Sequence, residues 1–249
     1  MSVDDRWGRA RFSTDAATLA QRLLGQRLVR TLPGGERLSA IIVETEAYTG
    51  PEDLASHARN GHRSPRNESI YARPGTAYVY LIYGVHHCFN IACVREGHPG
   101  AVLIRAARPV EGVERMRRLR SSGRDAGRTI RDHEIASGPG RLCAAMAIDR
   151  TLDGDDLVTS ERVWIQTARR GPLPGGYVDN TPRVGVESAG TWADARLRWL
   201  LHEPPPPDPP PDQPPEMSPE TPPVSALTAG GRGGNLPTLD RIADSMSHE

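Results

Sequence analysis

Two glutamates separated by a single threonine stand in the stretch VETEAY (residues 43–48), which continues without a break from the apolar run SAIIV (39–43). That run reads as a buried strand, and a strand whose only task is to build a sheet ends on Gly, Asn or Pro. Carboxylates at such a depth are costly unless they are paired, solvated in a cleft or used. Side chains two apart on a strand share a face, so Glu44 and Glu46 would lie on one side, about 6–7 Å apart at the backbone. The spacing resembles the acid/base pair that breaks a glycosidic bond by water attack. Two plainer readings compete: a solvated strand edge, or ion pairing with arginines such as Arg59, Arg63 or Arg66.

A second stretch bears on the choice. GTAYVYLIYGVHHCFNIACV (75–94) is β-branched and aromatic on both sides of a Tyr83–Gly84 pair, which predicts a hairpin with Tyr83 at or near its tip. A tyrosine there either folds back on the core or stands out as a wedge of the kind minor-groove proteins push between base pairs. Tyr48, Tyr78, Tyr80 and Tyr83 are four of the six tyrosines. Aromatic walls beside a carboxylate, in a basic body, are what a pocket for a flipped base needs. Arg115, Arg117, Arg118, Arg120, Arg124, Arg128 and Arg131 crowd one predicted helix and the loop after it, as a solvated face or as a surface for phosphates. Arg141 follows GPG (138–140) at a predicted helix start, where anions are favoured. His86, His87, Cys88 and Cys93 raise zinc, but on a strand His86 and Cys88 face one way and His87 and Cys93 the other.

The elements that must position these residues can be read from pattern. TDAATLAQRLLG (14–25) has an N-cap candidate, helical spacing of Leu and Ala, and a terminating glycine. Residues 26–31 and 36–43 flank the turn PGG (33–35) and predict a first hairpin; 51–74 reads as a long polar loop. Strands are expected at 101–105, 162–166, 183–186 and 197–201, and helices at 113–120 and 139–148. The mixed order fits an α+β domain better than a doubly wound sheet. Residues 204–223 read PPPPDPPPDQPPEMSPETPP, expected to be extended or disordered, and 236–246 offers at most a short helix.

Composition sets outer limits. No apolar run approaches the roughly 18–20 residues of a membrane span, and MSVDDR at the start lacks the layout of a secretory signal. Three cysteines do not make a disulfide framework, so a reducing cytoplasm is expected. Net charge is zero, yet residues 1–202 carry 29 arginines against 23 acids while 203–249 carry two against eight. The body is basic and the tail acidic. No lysine occurs anywhere, which excludes chemistry through an internal lysine Schiff base and hints at GC-rich bacterial codons.

The chain resembles the alkyladenine, or methylpurine, DNA glycosylases. The matching stretches are LLGQRLVR (23–30), VETEAYTGPEDLASH (43–57), PRN (65–67), PGTAYVYLIYG (74–84), FNIA (89–92), VLIRAARPVEG (102–112), SGPGRLCAAMAI (137–148) and RVGV (183–186). The resemblance implies a single α+β domain over 14–202, with a curved antiparallel sheet, surrounding helices and a protruding hairpin. An arm at 1–13 would precede it and a disordered tail at 203–249 succeed it. It implies that Glu46 is the general base activating water for attack on the sugar of a flipped nucleotide, with Arg105 steadying that water and a phosphate. Tyr48 would form one wall of the base pocket, His57 and Tyr80 the other, with the His57 amide reading the purine edge. Asn90 would crowd out normal guanine, Tyr83 would fill the gap left by the flipped base with Val85 beside it, and Arg141 would contact the DNA backbone.

The resemblance therefore implies a DNA-repair hydrolase acting alone on duplex DNA with damaged purines, in a bacterial cytoplasm at the nucleoid. No cofactor, metal, membrane or protein partner is implied. Having no lysine, it would leave an abasic site without cutting the strand. Glu44 would be held in a structural ion pair. Three features depart from the family: LLH (200–202) runs straight into prolines, His86 and His87 stand where bulky aromatic or apolar residues are usual, and the tail is acidic. The rival readings are a non-catalytic or weakly active binder of damaged DNA, and an O-glycoside hydrolase using Glu44 and Glu46.

Overall fold

The computed structural model describes residues 5–122, 127–171, 173 and 176–202. The proline-rich segment and the short helix expected within 236–246 lie outside the described residues. Among the described residues four α-helices and eight strands come in the order α1 (Arg9–Phe12), α2 (Ala16–Leu23), β1 (Arg27–Thr31), β2 (Arg37–Tyr48), β3 (Ala77–Ile82), β4 (His86–Cys93), β5 (Gly100–Glu111), α3 (Val113–Ser121), α4 (Pro139–Ala145), β6 (Val163–Gln166), β7 (Val178–Thr181) and β8 (Arg198–Leu201). The fold is α+β around one antiparallel sheet in the order β3-β4-β5-β2-β1-β6, with β8 joining β2 and β7 pairing with β8. Among the described residues no helix is long and apolar enough to cross a membrane.

β2 organises the sheet. Its first half pairs with β1, its second half with β8, and its other edge with β5 throughout. The strand therefore does not stop at Val43; it carries both glutamates to Tyr48, because β5 and β8 supply partners on both edges that far. Alternation then sends Thr45 one way and Glu44 and Glu46 the other. The Thr45 hydroxyl donates to Ala20 O (3.0 Å), so α2 covers the Thr45 face and the glutamates look away from it. α2 is amphipathic for this purpose: Asp15 caps it by accepting the Thr18 N–H (2.8 Å), and Leu19, Ala20 and Leu23 are buried.

The β2–β5 ladder shifts register three times, once at Ser39/Ala40 and twice beside the glutamates, and the latter two are bulges. Ile42 pairs with Ala107, Glu44 with Ala106 and Thr45 with Ile104, so Val43 is an extra residue on β2 and Arg105 an extra residue on β5. The two cancel, and the register is the same before and after them. A bulge re-aims a side chain without disturbing the rest of the ladder. Here it turns Arg105 toward the glutamates.

The hairpin of β3 and β4 closes on Tyr83 and Gly84, both at positive φ (53° and 70°), and the Val85 N–H donates to Ile82 O (3.2 Å). Positive φ at both central positions is the mark of a type I′ turn, whose twist suits a two-residue hairpin. Tyr83 is 85% exposed: it does not fold back on the core. The start of β4, just past the turn, rests on α4, where a Cβ at Gly140 would meet the His86 side chain at 3.0–3.1 Å. Trp7 and Phe12 are buried in the main core, so the described part of the N-terminal segment packs on the sheet.

Two expected strands need correction. β5 runs to Glu111 rather than ending at Arg105, because the long β2 pairs with it past the bulge. Residues 183–186 are not a strand. The strand is β7, just before them; Pro182 has no N–H for a ladder and Gly185 turns at φ 75°, so the chain leaves the sheet as a loop.

Candidate active site

Three elements and two loops converge on the glutamate face of β2. A cavity of about 160 Å³ there is walled by Tyr48, His57, Tyr80, Asn90, Arg105 and Val184, among others. A wider cavity of about 600 Å³ opens beside it, sharing His57 and Tyr78 and lined by Arg59, His62, Ser64 and Arg66. The smaller one gathers five of the six expected site residues into its wall. Its residues come from β2, the loop after it, the hairpin, the β5 bulge and the loop after β7.

Glu46 is fully buried directly behind three residues of the cavity wall, Tyr48, Arg105 and Val184. Its Oε1 accepts the Val184 N–H (2.8 Å) and sits 3.3 Å from Arg105 Nη1, while its Oε2 accepts the Tyr48 hydroxyl (3.0 Å). Burial raises its pKa above the ordinary carboxylate value; Arg105, the Val184 N–H and the Tyr48 hydroxyl pull the other way, and Glu44 adds to the rise. A carboxylate so placed is basic for its kind, yet held in one orientation. Tyr48 keeps its proton, because burial and then the neighbouring Glu46 push its pKa up. It can only donate to that carboxylate.

Glu44 has a different environment. Its Oε1 accepts from Arg105 Nε (2.8 Å) and Arg198 Nε (2.6 Å). The partners suggested by nearness in sequence are not the ones found: Arg63 pairs with Glu68, and Arg66 donates to Leu81 O. Arg105 thus spans both glutamates. Burial pulls its pKa down, but Glu46 and Glu44 outweigh that and raise it.

On the opposite wall His57 Nδ1 shares a hydrogen bond with the Tyr78 hydroxyl (2.8 Å), and its ring meets Tyr80 edge-on with centroids 4.5 Å apart. Burial, then Arg66, Arg59 and His62, lower the His57 pKa, so the imidazole is neutral at neutral pH. Asn90 is buried, and its amide donates to Tyr78 O (3.1 Å), which fixes how the side chain faces the cavity. All six expected pocket residues are therefore together: Glu46, Tyr48, His57, Tyr80, Asn90 and Arg105. Tyr83 and Val85 stand exposed at the hairpin tip, and Arg141 is exposed on the neighbouring α4, its Nη1 donating to Ser137 Oγ (3.2 Å).

Most of the arginine run after β5 has structural partners. Arg117 bridges Glu114 and Asp132, Arg128 and Arg131 pair with Glu134, Arg115 lies 3.3 Å from Glu36, and buried Arg120 donates to Ile135 O. Among the described residues no group of three or more His, Cys, Asp or Glu could hold a metal ion. Cys88 borders the cavity and Cys93 belongs to the core, both as free thiols.

Sequence reasoning missed the loop after β7. Val184, Gly185 and Val186 line the cavity, and Val184 supplies the only backbone donor to Glu46 among the described residues. Pro182 and Gly185 were the signal for a loop rather than a strand. Nothing in spacing, however, connects Val184 to a glutamate so far back in the chain.

Comparison with known proteins agrees with this geometry. The methylpurine-DNA glycosylase (MPG) family pattern matches residues 10–205. The human DNA-3-methyladenine glycosylase is 47% identical over 204 residues, 80% of this chain and 67% of that protein. Its mouse counterpart is 44% identical, with 60% of its length matched. A putative 3-methyladenine DNA glycosylase of Methanocella arvoryzae is 45% identical over 185 residues, 74% of this chain and 86% of that protein. The chain spans about two thirds or less of the mammalian relatives' length and most of the Methanocella protein's. With the match running through every strand and both loops that build the cavity, this chain belongs to the methylpurine-DNA glycosylase family.

Proposed function

We propose that this protein excises alkylated or deaminated purines, 3-methyladenine among them, from duplex DNA by hydrolysing the N-glycosidic bond. The observation that carries the reading is the fully buried Glu46, fixed by Arg105, the Tyr48 hydroxyl and the Val184 N–H, three groups whose residues wall an aromatic cavity. The damaged nucleotide flips out of the stack and its base enters between Tyr48 and the His57–Tyr80 wall. Alkylated purines are positively charged or electron-poor and stack well on tyrosine faces. The positive charge already weakens the bond to the sugar, so one water and one carboxylate suffice. Glu46 takes the proton of that water as it attacks C1′; the purine leaves with the bonding electrons, and an abasic site remains.

A single carboxylate mechanism also fits Glu44, whose Oε1 already accepts from both Arg105 and Arg198 and which is therefore poorly placed to reach a sugar leaving group. That weighs against O-glycoside hydrolysis by a glutamate pair. Without lysine, a Schiff base to the abasic sugar through an internal amine has no donor, so the enzyme is monofunctional.

The test uses a duplex carrying one 3-methyladenine or hypoxanthine. The wild-type protein should release the free base and yield strands that break only after alkali, with no borohydride-trapped adduct. Failure to release any alkylated or deaminated purine leaves a binder of damaged DNA; a trapped adduct overturns the monofunctional mechanism alone.

Tyr83 supplies a separate expectation. With so exposed a ring, Tyr83→Ala should leave thermal stability within about 0.5 kcal/mol of wild type. The same change should slow base release, because the space left in the duplex goes unfilled and the flipped state reverts sooner. Stopped-flow fluorescence of a 2-aminopurine beside the lesion reads the flipped population directly; unchanged flipping in Tyr83→Ala removes the wedge from the mechanism.

A further inference from the structure

Asp53 and Arg183 form a fully buried ion pair that no step above uses. The guanidinium and carboxylate meet fork to fork, Nη1 to Oδ2 at 2.5 Å and Nη2 to Oδ1 at 2.8 Å. Asp53 also accepts the N–H groups of Thr49 (3.1 Å) and Ala55 (3.0 Å), and so shapes the loop between Tyr48 and His57. Arg183 Nη1 donates further to Ala47 O (2.9 Å), the carbonyl between Glu46 and Tyr48. Its guanidinium carbon stands 4.8 Å from the centroid of the Tyr48 ring. The next residue is Val184, whose N–H donates to Glu46. One guanidinium thus touches the strand end bearing the carboxylate and the aromatic wall, and it anchors the loop that carries the backbone donor.

We propose that Asp53 and Arg183 are a positioning pair, fixing the Val184 N–H on Glu46 and the ring of Tyr48 against the cavity. Neither touches the substrate. Charge alone does not fill the role: the planar fork of arginine matches the carboxylate while the second N–H of Nη1 reaches Ala47 O, and a lysine ammonium cannot do both in that geometry. The groups facing Glu46 are Arg105, Glu44, Tyr48 and the Val184 N–H, with Arg183 behind Tyr48. Of these, only the Val184 N–H and the Tyr48 hydroxyl depend on the pair for their place.

The excision part of the test rests on the proposed function; the amide part does not. Arg183→Lys and Asp53→Asn are compared with wild type by single-turnover excision across pH, by binding to lesion duplex, and by hydrogen exchange at the Val184 amide. In wild type the Val184 amide should be protected. In both variants that protection should fall, and excision at neutral pH should drop about 10²-fold, the scale of a misplaced reacting group. Lesion binding should change far less. The acidic limb of the rate profile should move to higher pH, because the Val184 N–H favours the ionised Glu46 and its loss favours the protonated one. A folded variant with wild-type Val184 protection and a wild-type acidic limb overturns the proposal, leaving a merely structural pair. If neither variant folds, an unprotected Val184 amide in wild type overturns it equally. Should wild type release no base while Val184 protection still depends on Arg183, the function reading fails and the clamp stands.

Discussion

Glu46→Gln should lower single-turnover release of a methylated or deaminated purine by about 10²–10⁴-fold, the usual contribution of a positioned general base, while lesion binding survives. Glutamine is nearly isosteric. Its carbonyl oxygen can still accept the Val184 N–H, and Arg105 keeps Glu44 at 2.8 Å. What it cannot do is accept the proton of the attacking water. Equal loss of binding and rate would instead mean that the side chain holds the cavity open. The same variant should gain stability. Burial raises the Glu46 pKa in the folded state, so the unfolded chain ionises more readily, from about pH 4.3 upward. Stability from this group is complete below the unfolded pKa and is lost as pH rises through the folded one. Melting at pH 8 should therefore be higher for Glu46→Gln than for wild type, and the difference should shrink toward pH 4. A melting difference independent of pH would place its cause outside the titration of Glu46.

Local periodicity reaches some of this site and not the rest. The face shared by Glu44 and Glu46 follows from a period of two, and the strand's continuation to Tyr48 preserves it. The turn at Tyr83–Gly84 is legible because few tight turns suit a glycine between two β-branched runs. Resemblance to known motifs points to Arg105 but not to its geometry. Alternation cannot announce a bulge, and the residues after it, AARPVEG, look like the end of a strand rather than its middle. The ion pairs show the limit most clearly. Nearness in sequence offers Arg59, Arg63 and Arg66 as partners for Glu44, whereas sheet register brings Arg105 and Arg198 to it. Arg183 reads as part of a strand. Its value lies in an Asp53 contact that no spacing rule encodes.

That contact should also dominate stability. Arg183→Met is expected to cost about 3–5 kcal/mol, because it strands a fully buried Asp53 carboxylate without its counter-charge. For a domain of this size that lowers the melting temperature by about 6–20 °C. Asp53→Asn should be similarly damaging, since it leaves the guanidinium buried against a neutral amide. The double variant is the informative one. Replacing both charges removes the stranded ion in either direction, and the side-chain amide introduced by Asp53→Asn can still accept one of the two loop N–H groups that Asp53 holds. Its loss should therefore be far smaller than the sum of the single losses, with a coupling of at least about 2 kcal/mol for groups in one hydrogen-bonded network. Chemical denaturation of the four proteins closes the cycle. Additive losses would mean that each side chain matters through its own neighbours, Ala47 for one and Thr49 and Ala55 for the other. Strong coupling together with a double variant that is folded but slow would separate two duties: the charges hold the loops together against each other, whereas the fork aims them at Glu46.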